Sequence, residues 1–160
     1  MPSEATVINV DDDGDGGVVA WLDTNDNTKM YVSTQKEGIK VLGNENSSKM
    51  FFNKSKLTSI DVSNFDTSNV TNMGGMFNTC DKLTSIDVSN FDTSKVTSMS
   101  IMFYGCSKLT TIKVGNKFKW INTLSKLGLT SGTWKDEKGN RYTSSSTFPS
   151  NVAHTYTKVS

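Results

Sequence analysis

The feature that most constrains the fold is a 26-residue segment that occurs twice in succession. The first copy spans residues 57–82 and reads LTSIDVSNFDTSNVTNMGGMFNTCDK, and the second follows at once at residues 83–108. The copies align without gaps, and 19 of the 26 positions are identical. A third copy starts with LTTIKV at Leu109 and then diverges, while residues 50–56 match a degenerate partial copy. A fixed period of this length is typical of architectures in which repeated units stack.

Each copy contains a strand pattern followed by a helix pattern. In the first copy, Ile60 and Val62 point to one face of the predicted strand and Asp61 points to the other. The helix pattern consists of apolar residues at helical spacing: Val70, Met73, Phe77 and Cys80. The pair Gly74-Gly75 weakens such a helix by about 1 kcal/mol per Gly relative to Ala, so we expect the helix to depend on stacking.

Stacking lets each copy bury the apolar side that it cannot bury alone. Ile60 then lies on Ile86 and Ile112, the strands form a parallel sheet, and the crossover between strands is right-handed. We therefore predict an α/β solenoid, a leucine-rich-repeat-like right-handed coil with parallel strands and short helices. A β-hairpin covers its N-terminal end, and a small α+β cap covers its C-terminal end.

The repeat LTSIDVSNFDTSNVTNMxxMFxxC resembles the 26-residue repeat of bacterial surface proteins, found in Listeria and Mycoplasma lipoproteins and in BspA-like adhesins. The segments AWLD…MYVS and FKW…W…G…Y are similar to the flanking caps of such proteins. The resemblance implies a bacterial, extracellular parent protein with a lipid or cell-wall anchor. It supplies no catalytic residues. We expect this chain to be a fragment that lacks the signal peptide and the anchor.

Around the repeats, the sequence predicts a flexible acidic tail at residues 1–17, an N-terminal cap and degenerate repeat at 18–56, repeats at 57–115 and a C-terminal cap at 116–160. Within the caps the patterns predict the following elements: a hairpin of Val18–Leu22 and Lys29–Ser33, a short helix near Met50-Phe51, a helix within Phe118–Leu127, a hairpin flanking Asp136–Asn140, and an edge strand within Ala153–Val159. Trp120, Trp134, Tyr142, Phe148 and Tyr156 suffice for a small aromatic core. Aromatic residues of the caps could also face a ligand, and sealing the core is the favoured interpretation.

The acidic tail contains a candidate calcium site at Asp11, Asp13 and Asp15. These residues fit D-x-D-x-D-G, the opening of a calcium loop. An EF-hand loop requires Glu at its twelfth position, where this chain has Leu22. The alternatives are a calcium loop of another kind and a solvated acidic linker, and the linker is favoured.

The outward strand positions form the main candidate binding site. Stacking aligns three columns: Ser59/Ser85/Thr111, Asp61/Asp87/Lys113 and Ser63/Ser89/Gly115. Like charges on neighbouring strands are destabilising, and Lys113 relieves this repulsion from one side only. Asp61, Asp87 and Lys113, with Ser59 and Ser85 beside them, could bind a cation or a sugar hydroxyl. The alternative is a solvated acidic face.

Cys80 and Cys106 occupy the same position in adjacent copies, which permits a disulfide. We favour buried free thiols, since helices are spaced more widely than strands. His154, the only histidine, has no sequence neighbour suited to catalysis or zinc binding, so we expect it at the surface.

Composition and motifs exclude several function classes. The net charge of +1 gives no reason to expect nucleic-acid binding, and no apolar run is long enough to cross a membrane. No motif assembles a catalytic site, so we predict a protein that is not an enzyme and needs no cofactor. The favoured function is extracellular recognition, by a monomer, of a host or bacterial surface protein or glycan. The alternative is a structural spacer that binds nothing.

Overall fold

A computed structural model of the chain describes residues 7–9, 18–22, 26, 28–34, 40–129 and 131–159. The regular elements within these ranges are β1 (Val7–Asn9), β2 (Val18–Leu22), β3 (Lys29–Thr34), β4 (Val41–Leu42), β5 (Ser59–Asp61), β6 (Phe65–Asp66), β7 (Ser85–Val88), β8 (Thr111–Val114), α1 (Leu124–Leu127), β9 (Thr133–Lys135), β10 (Arg141–Tyr142) and β11 (His154–Val159). Strand β1 lies inside the predicted tail and pairs antiparallel with β2. The candidate calcium ligands Asp11, Asp13 and Asp15 lie outside the described residues.

The described strands form three small sheets. Their strand orders are β1-β2-β3-β5, β10-β9-β11-β8-β7 and β4-β6. The two predicted hairpins are confirmed, because β2 pairs antiparallel with β3 and β9 pairs antiparallel with β10. The prediction that the last strand lies at a sheet edge is wrong, since β11 lies between β9 and β8.

The prediction of an α/β solenoid, with a helix in every copy and one continuous parallel sheet, is wrong. The described ranges contain one short helix of four residues, and the remaining regular structure is β-strand. The equivalent strands β5 and β7 belong to different sheets, since β5 pairs with β3 and β7 pairs with β8. The leucine-rich-repeat likeness depends on the same helices and the same continuous sheet, so it is wrong for the same reason.

The apolar stripe between Val70 and Cys80 forms tight turns in place of the predicted helix. The Met76 amide donates to the Met73 carbonyl, three residues back, whereas the Phe77 amide donates to the Met102 carbonyl of the next copy. Two left-handed backbone positions recur every 26 residues: Lys49, Gly75 and Ile101 at the first, and Asn53, Thr79 and Gly105 at the second. A right-handed α-helix does not continue through left-handed residues, so the stripe is buried without becoming helical.

Two other predicted helices are also corrected. The residues around Met50-Phe51 form the same turns as their counterparts in the full copies. Within Phe118–Leu127 only α1 is helical. Its N-cap, Thr123, accepts a hydrogen bond from the Lys126 amide, and Gly128 ends it with φ of 87°. Among the described residues, no helix has the length and apolar character needed to span a membrane.

Equivalent side chains of successive copies pack against one another in the core. Phe51, Phe77 and Phe103 lie 26 residues apart and form a stack, with ring centroids separated by 5.4 and 5.9 Å. Phe65 and Phe91 repeat the arrangement at 5.9 Å. Such aromatic pairs contribute about 0.5–1.5 kcal/mol each beyond the burial of their area, so the identical residues of the repeat stabilise the contact between copies.

Buried threonine hydroxyls also join the copies. The Thr67 hydroxyl accepts a hydrogen bond from the Asp92 amide at 2.8 Å and donates to the Asp92 carbonyl at 2.9 Å. Thr93 repeats this with the Lys119 amide and carbonyl, at 2.6 and 3.1 Å. Each threonine therefore satisfies two backbone groups of the following segment from inside the core.

The C-terminal cap contains the predicted aromatic core. The Phe148 ring lies within 6.2 Å, centroid to centroid, of four other rings, those of Trp120, Trp134, Tyr142 and Tyr156. The carboxylate of Asp136 closes the β9–β10 hairpin by accepting hydrogen bonds from three residues: Lys138, Asn140 and Tyr142. Burial opposes ionisation of Asp136, but these hydrogen bonds lower its pKa to about 2.

Candidate functional site

Asp61 and Asp87 share a cleft at the place where two sheets separate. Strands β5 and β7 lie at the edges of their sheets, and near them the Thr84 amide approaches the Thr58 carbonyl at 3.5 Å. The cleft has a volume of about 260 Å³ and is lined by Ile60, Asp61, Val62, Ser63, Asp87, Ser89 and Asn90. The two carboxylates of the predicted column therefore lie together in a concavity and not on an open strand face.

Local turns orient these two carboxylates. Asp61 Oδ1 accepts a hydrogen bond from the Ser63 amide at 2.9 Å, and Asp87 Oδ1 accepts one from the Ser89 amide at 3.0 Å. A short acidic side chain that binds the backbone two residues later forms an Asx turn. The motif Asp-x-Ser, which occurs twice in each copy, is the sequence signal for these turns. The turns bring Ser63 and Ser89 to the cleft, for which the sequence analysis assigned no role.

Lys113 lies on the far side of Asp87. The predicted register is present, because Asp87 of β7 is opposite Lys113 of β8, and Lys113 Nζ lies 2.9 Å from Asp87 Oδ2. Partial burial opposes ionisation of Asp87, but hydrogen bonds from Ser89 and Lys113 hold its pKa below the usual range. Within the described part of the chain, no ion pair involves Asp61. The cleft therefore holds one carboxylate with a cation partner and one without.

The structure places Ser59 and Ser85 outside the lining of this cleft. Ser59 is opposite Lys29 in the adjacent strand, and Ser85 is opposite Thr111. Asn90, which the sequence analysis did not select, lines the cleft in their stead. Its Nδ2 donates to the carbonyl oxygens of Val62 and Phe65, both at 2.9 Å. Asn90 thereby ties the second copy to the first at the cleft wall.

Cys80 and Cys106 are free and buried, which confirms the interpretation favoured from the sequence. Their thiols donate to carbonyl oxygens one copy back, Cys80 to Phe51 at 3.1 Å and Cys106 to Phe77 at 3.0 Å. Burial raises the pKa of both thiols, that of Cys106 to about 12. The thiol form therefore predominates at neutral pH, which fits a packing role.

The prediction that His154 lies at the surface is wrong. Its side chain is 6% exposed, and its Nδ1 lies 2.6 Å from Glu137 Oε1. The Thr155 amide donates to the other oxygen of the same carboxylate at 3.2 Å. His154 and Glu137 line a second cleft of about 290 Å³ together with Lys113. Among the described residues, no three His, Cys, Asp or Glu side chains are grouped closely enough to hold a metal ion.

Comparison with known families identifies the middle of the chain. The family model described as "Mycoplasma protein of unknown function, DUF285" matches residues 26–127, which is more than half of the chain and includes both full copies. No curated protein and no solved structure matches the chain. The match supports, at a coarse level, the resemblance to bacterial surface proteins, and the narrower resemblance to BspA-like adhesins stays a prediction. The chain therefore belongs to the Mycoplasma protein family of unknown function DUF285.

Proposed function

We propose that this chain is a non-enzymatic, extracellular recognition module of a bacterial surface protein, and that it binds a host or neighbouring-cell macromolecule at the Asp61–Asp87 cleft. The observation that supports the proposal is the convergence of two oriented carboxylates and the Ser63 and Ser89 hydroxyls in one concavity. Binding sites commonly combine a concave shape with a few oriented polar groups.

The chemistry of the cleft favours donor groups on the partner. An ionised carboxylate only accepts hydrogen bonds, and it accepts them from hydroxyl or ammonium groups. Asp61 has no cation partner among the described residues, so it is the stronger candidate to receive such a group. The hydroxyls of a glycan and the lysine side chains of a protein both meet this requirement.

The test is a binding screen with variants matched in charge. The purified chain is screened against extracellular-matrix proteins, mucins and a glycan array, beside Asp61→Asn/Asp87→Asn. The control, Asp66→Asn/Asp92→Asn, removes two charges from the other Asx turns of the same copies, which lie outside the cleft. Asn can form the same turn, so both variants are expected to fold. A partner lost only in the cleft variant supports the proposal, and a partner kept by that variant contradicts it.

The structural spacer is the second candidate. It is favoured by the continuity of the contacts between copies, namely the phenylalanine stack and the buried threonine bridges at Thr67 and Thr93. A folded chain that binds nothing in the screen supports the spacer over the recognition module.

A further inference from the structure

A second surface is marked by one residue type at the same position of three turns. Lys56, Lys82 and Lys108 are 26 residues apart, and all three are exposed. Each lysine precedes a buried leucine whose amide donates to a carbonyl three residues back, and these leucines are Leu57, Leu83 and Leu109. The three lysines therefore occupy equivalent places in equivalent turns, and we call them the lysine column.

Hydrogen bonds on both sides of the lysines show that these turns stack. Before them, the Ser107 hydroxyl donates to the Asp81 carbonyl at 3.1 Å. After them, the Thr110 amide donates to the Thr84 carbonyl at 2.9 Å. Backbones joined in this way lie about 4.8 Å apart. The column thus presents three ammonium groups along one line, at roughly one strand spacing per charge.

The lysine column is not neutralised by the protein. Within the described residues, ion pairs occur at Asp26–Lys29, Asp87–Lys113, Asp92–Lys117 and Glu137–His154, and none includes a lysine of the column. Asp81, although next to Lys82 in sequence, forms no ion pair with it. Like charges 4 Å apart repel by about 1 kcal/mol in water, and a bound polyanion would remove this cost.

We propose that the lysine column binds a linear anionic polysaccharide. A straight row of evenly spaced ammonium groups matches a chain that carries one carboxylate or sulfate at regular intervals, and the flexible lysine stem adapts to small differences in spacing. The exposed hydroxyl residues Thr84 and Thr110 lie two positions after their lysines and can bind sugar hydroxyls. The near-neutral sequence pI of 7.7 disfavours nucleic acid, whose binding domains are typically strongly basic. This site is separate from the Asp61–Asp87 cleft.

The experiment measures binding of polygalacturonate and of dextran sulfate across a salt series. These probes distinguish a carboxylated from a sulfated ligand. The test variant is Lys56→Gln/Lys82→Gln/Lys108→Gln. The control, Lys119→Gln/Lys135→Gln/Lys138→Gln, removes the same charge from exposed lysines outside the column. Thermal melting of each variant shows that it is folded.

For the unmodified chain we expect the logarithm of the binding constant to fall with the logarithm of salt concentration with a slope of about −2, from three released counterions. The column variant is expected to lose this slope and to bind at least about tenfold more weakly at low salt, whereas the control stays close to the unmodified chain. Equal losses in both variants, or an unchanged column variant, would overturn the proposal. Tighter binding of single-stranded DNA than of either polysaccharide would overturn the ligand class. Asp61→Asn/Asp87→Asn is expected to leave polysaccharide binding intact, so this proposal and the cleft proposal fail independently.

Discussion

Replacing Thr93 by Val tests whether buried hydroxyls hold the copies together. Thr93 is fully buried, and its hydroxyl is bonded to both the amide and the carbonyl of Lys119. Valine keeps the shape of the side chain but removes both hydrogen bonds. Each bond contributes about 0.5–1.5 kcal/mol, and a buried backbone group left without a partner costs about 1–3 kcal/mol. The added methyl group recovers about 0.8 kcal/mol by burial. We therefore expect Thr93→Val to lower the free energy of unfolding by about 2–3 kcal/mol.

Thr110→Val is the matched control. The Thr110 hydroxyl is exposed and donates only to the Thr84 carbonyl, which already accepts a hydrogen bond from the Thr110 amide. We expect this control to change stability by less than about 0.5 kcal/mol. Urea unfolding, with the same m value required for all chains, measures the difference. If Thr93→Val costs no more than the control, the buried hydroxyls do not hold the copies together.

Three further predictions concern single positions. Gly115→Ala would place a methyl carbon 2.0 Å from the Ser89 carbonyl oxygen, so we expect a loss of about 1–3 kcal/mol or more in urea unfolding; an unchanged midpoint would refute the close contact. The pKa of Asp136 falls from 3.8 to about 2 on folding, so its stabilisation is present above pH 3.8 and is lost as the pH falls toward 2. Asp136→Asn should therefore be less stable than the unmodified chain at pH 7, with the difference shrinking below pH 4, and a difference independent of pH would contradict this. Cys80 and Cys106 should react with a thiol reagent at pH 8 only after unfolding, because both are buried with raised pKa values; fast labelling of the folded chain would show that they are accessible.

The strands and hairpins were accessible from the sequence because their signals are local. Alternating apolar residues place β7 and β8, and turn residues around Asp136–Asn140 place the C-terminal hairpin. The repeat period alone aligns Asp87 with Lys113, which the parallel pairing confirms.

The helices were mispredicted because two structures share one spacing. Tight turns bury Val70, Met73, Phe77 and Cys80 as an α-helix would, so periodicity does not distinguish them. The Gly74-Gly75 pair and the Asp-x-Ser motifs signal turns, and they carried more information than the apolar stripe.

The cleft and the buried histidine depend on tertiary structure. Nothing local to β5 or β7 shows that their sheets separate, because both copies have the same strand sequence and differ in their partners. The burial of His154 depends on Glu137, 17 residues earlier, which reaches it only after β9, β10 and β11 have formed.

The central claim is that the Asp61–Asp87 cleft is the recognition site. The most direct measurement is an NMR titration of the ¹⁵N-labelled chain with the partner found in the screen. The account predicts that the largest shifts fall on the backbone amides of Ser63, Ser89 and Asn90. Shifts confined to the C-terminal aromatic core, with these three amides unchanged, would contradict it.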